Sequence, residues 1–423
     1  MKKDVIVIGA GLAGLLTAFY LKAEGKDVLV LEAKTVASGQ TGRTTAKITS
    51  QHDIKYSRLL KTVGRNKAEM YALSNEAAIK EYEKLIMSHN IDCDFERVSA
   101  HMYSITDKKQ LMDEVKAATS LGIDAYFTDK TELPFEVAGA ACFCNQAMFS
   151  PLKFVNYVAS ELEIRENTKV IKIKGKEIIT DNGNFTADKI VVATHYPIIN
   201  FPGFYFLRQH QERSYVLELT SCPPIKDMYY GVDKGGLSFR QAGEALLLGG
   251  GAHRTGKVQK TGSFCFLRKK AKELFPDSKE VSAWAAQDCM PHDGIPFIGK
   301  YTIFRDDMYV ITGFQKWGMT SSIIAARIIT DAICGRDNPY SKLYSPQRIN
   351  VVAGMGKFLM DVLVSTKGLF CGWLGKKEKR CKHLGCRLEW NQEENSYDCP
   401  CHGSRYDENG NILDNPTIRR IDI

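Results

Sequence analysis

Three thiols and two imidazoles crowd into one short stretch of this 423-residue chain, as Cys381-Lys-His383 and Cys399-Pro-Cys401-His402. Thiolates and neutral imidazoles are metal ligands. Two of each on paired loops suit a [2Fe–2S] centre, with the thiolates on one iron and the imidazoles on the other. Zinc is the competing reading, because Cys₂His₂ is also a zinc set. The spacing is not that of a ββα finger, since no His-x₃₋₅-His is present. At the other end of the chain, Gly9-Ala10-Gly11-Leu12-Ala13-Gly14 offers different chemistry. Gly9 permits a tight turn, Gly11 lets a pyrophosphate approach the backbone, and Gly14 lets a helix lie on a strand. Glu32 stands where a carboxylate can bind ribose hydroxyls, with Ala33 beside it.

The elements that must position these residues follow from pattern. Val5 to Gly9 reads as a buried parallel strand, Leu12 to Glu24 as an apolar helix stopped by Gly25, and Val28 to Leu31 as a second strand. The helix N-terminus supplies free N–H groups for phosphate. Strand, glycines, helix, strand and acid in register mark a dinucleotide site. Ser38 to His52 is a polar loop leaving the second strand, and Arg43, Thr44, Thr45 and Lys47 on it are candidate donors to phosphate or to a flavin ring. An exposed loop without ligand is the alternative.

Helices are expected at Lys67 to Met87, around Lys108 to Leu121, and from Pro151 to Leu162. Ile190 to Thr194 reads as a strand returning beside the cofactor. Tyr215 to Thr220, Gly236 to Arg240 and Ala245 to Leu248 read as strands of an antiparallel region. Gly249 to His253, GGGAH, is a bulged strand end and not a second nucleotide turn, because no helix and no acid follow at the right distance. Met308 to Arg327 is a strand, a glycine turn, and a helix starting near Thr320. Its N-terminus suits the carbonyl edge of a flavin.

Composition narrows the classes. Hydrophobic residues make up 44% and charged residues 25%, ordinary for a globular protein with a sizeable core. The net charge of +8 is mostly spread along the chain, which argues against nucleic acid. No long uncharged apolar stretch predicts a transmembrane helix. MKKD with its glycine spacing does not read as a signal peptide, and a cytoplasmic location is expected. Most of the 12 cysteines are scattered, as small buried hydrophobes would be.

Through about residue 350 the assembly resembles the D-amino-acid oxidase/glycine oxidase superfamily of FAD-dependent oxidoreductases. The resemblance rests on GAGLAG with Glu32, the SGQTGR loop, VVATHYP, DGIPFIG and TGFQKWGM. It implies FAD across the first fold unit, with Ala193, Thr194, Asp293, Gly313, Gly318, Met319 and Thr320 among its contacts. It also implies a largely antiparallel substrate domain and a substrate that is an amine or amino acid. Arg240 and Arg254 are candidates to clamp a substrate carboxylate, surface arginines being the competing reading. Lys316 is a candidate to polarise the ring or assist oxygen. Cys289 is expected to be buried and structural.

Residues 381–423 look like a Rieske iron–sulfur domain, which implies Cys381, His383, Cys399 and His402 as cluster ligands. The same resemblance implies a disulfide between Cys386 and Cys401, and hydrogen bonds from Ser404 and Tyr406 to cluster sulfur. The strands that precede the first cysteine in a complete Rieske domain are missing, so the tail is expected to complete its core on another surface. The helix expected at Val351 to Val364 is amphipathic, with peripheral membrane contact as the weaker reading. KKEKR, Lys376 to Arg380, reads as a solvated linker.

The expected fold class is α/β. A Rossmann-like doubly wound FAD domain (about 1–90, 146–205 and 284–340) carries an inserted α+β antiparallel substrate domain (about 91–145 and 206–283). A linker with the amphipathic helix covers 341–380, and a small all-β Rieske module covers 381–423. The expected function is oxidation of a small amine or amino-acid-like substrate, with electrons passing from FAD through the cluster to an unidentified acceptor. An oxidase using oxygen with a structural cluster, and a non-catalytic redox sensor or electron-transfer adaptor, are the alternatives.

Overall fold

The computed structural model describes residues 1–257, 262–348, 350–374 and 380–422. Val5, Ile6, Val7 and Ile8 are buried without alternation, as a strand covered on both faces requires. The strand Lys2–Ile8 lies inside an eight-stranded sheet, with Val28–Leu31 parallel on one side and Gly183–Val192 parallel on the other. Arg305–Thr312 extends the parallel run next to Gly183–Val192, and Phe297–Thr302 closes that edge antiparallel. The helix Leu12–Ala23 follows the glycine turn and packs on the helix Gly318–Ile333. The helix Arg65–Ser88 packs on Gly318–Ile333 as well. Two glycine turns therefore deliver two helix N-termini to one end of the sheet.

The second sheet has nine strands and is antiparallel except where Met228–Gly231 runs parallel to Glu96–Ser104. Its long edge strand, Lys279–Pro291, pairs with Gln209–Thr220 along nearly its whole length. Residues 284–291 thus belong to this sheet, and the boundary expected at 284 falls inside a continuous ladder. At the opposite edge Lys47–Ile48 pairs with Gly139–Met148, so 146–148 belong here too. The bulge expected at GGGAH is present as a register shift between Gln209–Thr220 and Ala245–Arg254.

The segment from 340 to 347 contains a short helix, Ser341–Tyr344, anchored by buried Leu343 and Tyr344. The linker helix runs Val351–Leu374, ten residues beyond the expected Val364. Its later glycines do not end it, because they lie where the C-terminal module comes close. A Cβ on Gly368 would collide with Cys401 Sγ, and one on Gly372 with the Gly385 carbonyl.

The C-terminal module is a four-stranded antiparallel sheet of very short strands, Glu389–Asn391, Ser396–Asp398, Arg405–Asp407 and Ile412–Asp414. Its own core is little more than four cysteines, Leu388, Tyr406 and Ile421. Much of its support comes from the substrate domain and from Arg405 within the module. Fully buried Arg213 pairs with Glu394, and Arg405 binds Glu394, Asp398 and Asp414 at 2.8, 2.8 and 3.0 Å. Tyr215 donates to Glu394 at 3.0 Å. Glu393 accepts from the backbone N–H groups of Ser263 and Phe264 and so caps the helix Ser263–Leu274. The charges are buried but compensated, as a stable interface of this kind requires.

Candidate redox site

A cavity of about 570 Å³ opens where the two sheets meet. Gly9, Gly11, Leu12, Ala13, Glu32, Ala33, Arg43, Thr44, Thr45, Ala193, Thr194, Gly313, Gly318 and Met319 line it, together with Lys316. Gly9 has φ +109°, and a Cβ there would strike the Ala193 carbonyl. A Cβ on Gly14 would strike the Gly9 carbonyl, so Gly14 serves helix–strand contact beneath the cavity wall. Glu32 is held by backbone N–H groups of Ala10 and Lys34, each at 2.8 Å. Thr41 Oγ1 accepts from Leu12 N–H at 3.0 Å and fixes the polar loop on the helix start. This cradle has the shape and donors that a dinucleotide pyrophosphate and ribose need.

Farther along, the cavity is lined by charged and aromatic side chains from both sheets. Lys47, Tyr230, Asp288, Lys316 and Trp317 all reach it. Burial pushes the Asp288 carboxyl up to about 6, against the pull of Lys316, and Ser214 donates to it at 3.0 Å. Burial lowers the Lys47 amine to about 7, with Arg240 beside it. Lys47 donates to the Tyr229 carbonyl at 2.7 Å. Burial works against the Lys316 charge, yet Tyr230, Asp288, Glu212 and Asp53 raise its pKa above that of an ordinary lysine. Two groups that titrate near neutrality and a persistent cation thus share one water-poor chamber.

Part of the wall comes from the C-terminal module. Ile412, Leu413, Asp414, Asn415, Thr417 and Ile418 line the same cavity. Lys34 and Lys169 donate to the carbonyls of Leu413 and Ile418, and Gln40 donates to Asp414 at 3.1 Å. Asn415 donates to the carbonyls of Thr194 and Tyr196. Beside them, Gln211 donates to the carbonyls of His402 and Asn415, and Gln287 donates to Gly403 and to Gln211 Oε1.

In the module itself, the thiols of Cys381 and Cys399 hydrogen-bond one another, and Tyr406 donates to Cys381 Sγ at 3.6 Å. The His383 and His402 rings lie 5.0 Å apart. Nδ1 of each is buried without a hydrogen-bond partner among the described residues. Such orphaned nitrogens are costly unless a ligand takes them. Burial lowers His383 to about 4 and His402 to about 3, which keeps both rings neutral for metal. Two thiols and two neutral imidazoles, each with its Nδ1 unpartnered among the described residues while His383 Nε2 meets Asn200 Oδ1 at 2.6 Å, fit a [2Fe–2S] cluster. Cys386 and Cys401 form the disulfide expected of them. Ser404 Oγ accepts from Thr417 N–H, and its backbone carbonyl accepts from Cys399 N–H.

Other residues singled out in the sequence sit elsewhere. Arg254 is taken up by the Pro400 and Cys401 carbonyls and by Asp361, so its guanidinium holds the module and does not face the cavity. Arg240 is buried behind the wall, donating to the Phe149 carbonyl at 2.6 Å. Asp293 is ion-paired with Arg348 at 2.8 Å, and Thr320 lies against Thr49 and His52. Cys289 is buried and donates to the His195 carbonyl at 3.5 Å. Asp288, Tyr230 and the wall residues 412–418 were not foreseen. Asp288 had one signal: it is an acid in a stretch, WAAQDCMP, that otherwise reads as a half-buried strand.

Residues 4–332 match the family described as FAD dependent oxidoreductase, and residues 374–423 match the Rieske [2Fe-2S] domain. One relative is YhfW of Bacillus subtilis (strain 168), described as a Rieske 2Fe-2S iron-sulfur protein. It is 30% identical over 99% of this chain and 92% of its own. Among solved structures, glycine oxidase from Geobacillus kaustophilus superposes with a TM-score of 0.67 at 18% identity, over 82% of this chain and 99% of its own. L-proline dehydrogenase from P. horikoshii does so with a TM-score of 0.67 at 18% identity, over 82% and 97%.

Proposed function

Since the chain belongs to the FAD dependent oxidoreductase family and ends in a Rieske [2Fe-2S] domain, we propose that it oxidises a small amine or amino-acid-like substrate and passes the electrons through the cluster to an external acceptor. FAD and the cluster are its cofactors. When bound, the flavin supplies a two-electron acceptor and the cluster a one-electron carrier. The observation that carries this reading is the single cavity whose walls come from the dinucleotide cradle, the charged chamber and the cluster module alike. An oxidase discharging to oxygen has no need of the third wall.

Within the chamber, Lys316 holds a substrate carboxylate by charge. Asp288, ionised above about 6, takes the proton from the substrate ammonium and leaves the neutral amine that hydride departure requires. Tyr230 and Trp317 line the chamber beside them. Gly9, Gly11, Glu32 and the polar loop carry the nucleotide end of FAD. Cys381, His383, Cys399 and His402 hold the cluster. The unpaired thiols elsewhere in the chain support a reducing, cytoplasmic setting.

Anaerobic mixing of the holoprotein with a panel of amino acids, followed by flavin absorbance and freeze-quench EPR, tests the proposal. A substrate that bleaches the flavin should bring up the reduced-cluster signal next. Flavin bleaching beside a cluster that stays oxidised, or indifference to every amine tried, would overturn it.

A further inference from the structure

In the linker helix Val351–Leu374, Gly354, Asp361, Gly368 and Gly372 face the rest of the chain while several large apolar residues face outward. On the inner side, Gly354 lies against His292. Asp361 is ion-paired with His210, His292 and Arg254, and Gly368 and Gly372 let the cluster loops approach. On the outer side, Leu363, Phe370, Trp373 and Leu374 are 66%, 60%, 73% and 67% exposed, with Leu359 and Met360 beside them. An ordinary amphipathic helix of a soluble domain has the opposite polarity. An exposed apolar stripe of this length marks an interaction surface.

The charge of the segment says what covers it. Asp361 is its only acid between 351 and 374, and that carboxylate is spent on the inner face. Lys367 is exposed, and KKEKR follows directly in sequence. A second copy of the chain on this face would set a basic run against a basic run, with Glu378 the one acid in KKEKR. An anionic lipid surface accepts both features, apolar side chains into the acyl boundary and lysines onto headgroups. Among the described residues no helix is long and apolar enough to cross a membrane, so the contact is one of lying on it.

The apolar face continues beyond the helix. The helix packs on the turn Tyr205–Leu207, where Phe201, Phe204 and Leu207 are also exposed. Phe206, in the same turn, sets its ring against both His383 and His402, at 6.3 and 5.9 Å. The histidine side of the cluster site therefore borders the face in question. We infer that the outer face of Val351–Leu374 docks this protein on an anionic membrane surface. The inference stands whether or not the proposed substrate class is right.

Co-sedimentation of the full-length holoprotein with vesicles tests it. Vesicles of phosphatidylcholine with phosphatidylglycerol should pull the protein down, vesicles of phosphatidylcholine alone should do so far less, and raised salt should weaken the binding. Leu363→Glu with Phe370→Glu should reduce partitioning about tenfold or more while flavin absorbance and the cluster EPR signal stay unchanged. Trp373 emission should shift to the blue on vesicle addition, and the shift should vanish in Trp373→Phe. No partitioning of the intact holoprotein onto phosphatidylglycerol vesicles would overturn the inference. So would binding that survives the double substitution. A dimer in sedimentation velocity that the double substitution dissociates, with no vesicle binding, would assign the face to a second copy.

Discussion

Gln211 Nε2 donates to the carbonyl of His402 at 2.8 Å, joining a buried strand of the substrate domain to a proposed cluster ligand. The same amide reaches the Asn415 carbonyl at 2.9 Å, and its oxygen accepts from Gln287. Replacing Gln211 with Ala leaves three buried groups short of a partner, at about 1–3 kcal/mol each before relaxation. Cluster absorbance should melt at a lower temperature than in the parent, with the flavin transition less affected. Coincident, unshifted transitions would mean that the glutamine pair does not hold the module.

Residues 412–418 wall the cavity, so FAD retention should depend on the C-terminal module. Asn415→Ala removes the donor to the Thr194 and Tyr196 carbonyls. Combined with Lys169→Met, which removes the donor to Ile418, it should weaken flavin binding by about tenfold, one 1.4 kcal/mol step. Release of fluorescent flavin on dilution reads this directly. A variant that keeps its FAD as tightly as the parent would show the wall to be passive.

The acid limb of kcat/KM should report a group near 6, because Asp288 must be ionised to take the ammonium proton. Activity should rise as pH climbs through that value, and Asp288→Asn should lower kcat/KM by about 10²-fold or more and abolish the limb. The stability sign is the reverse. A carboxyl whose folded-state pKa is raised disfavours the fold as pH rises past the ordinary carboxylate range, so Asp288→Asn should not destabilise at pH 8. A limb that persists in the variant would move the base elsewhere.

Asp361 binds His210 at 2.9 Å, His292 at 2.6 Å and Arg254, and Arg254 in turn holds two carbonyls of the cluster loop. These partners outweigh burial and hold its carboxyl far below the usual range. The stability it contributes is therefore fully present above the unfolded carboxylate pKa and lost as pH falls. Asp361→Asn should cost about 1–3 kcal/mol at pH 7, since it removes the charge that Arg254, His210 and His292 share. It should also flatten the acid side of the stability profile, measured by denaturant melts across pH.

Tyr406 donates to Cys381 Sγ, a bond that favours added charge on cluster sulfur. Tyr406→Phe should shift the cluster potential downward in EPR-monitored titration. Ser404 Oγ accepts from Thr417 N–H and its hydroxyl hydrogen-bonds Cys381 Sγ as well, so Ser404→Ala should also shift the potential downward. Equal potentials in parent and Tyr406→Phe would remove the hydrogen bond from the account.

Some of this was local enough to be read from residues alone. Gly9 and Gly14 declare their turn because the backbone there admits no Cβ, and the strand and helix around them follow from apolar period. The pairing of Cys381 and His383 with Cys399 and His402 is likewise carried by two short loops, while the Cys386–Cys401 disulfide was implied only by the resemblance to Rieske domains. Other features were settled only by tertiary structure, because they join residues far apart in the chain. Arg240 and Arg254 look alike as strand-end arginines; whether each meets substrate depends on which surface lies opposite, and opposite them lie Phe149 and the cluster loop. Asp288 gains its raised pKa from a burial that two sheets create together. The tail that seemed too short for a fold has its missing support in Arg213 and Tyr215, on a strand that no local pattern ties to Glu394. Spacing along the chain fixes what a backbone turn can bind. Through-space desolvation and the partner across an interface decide what a charged side chain does.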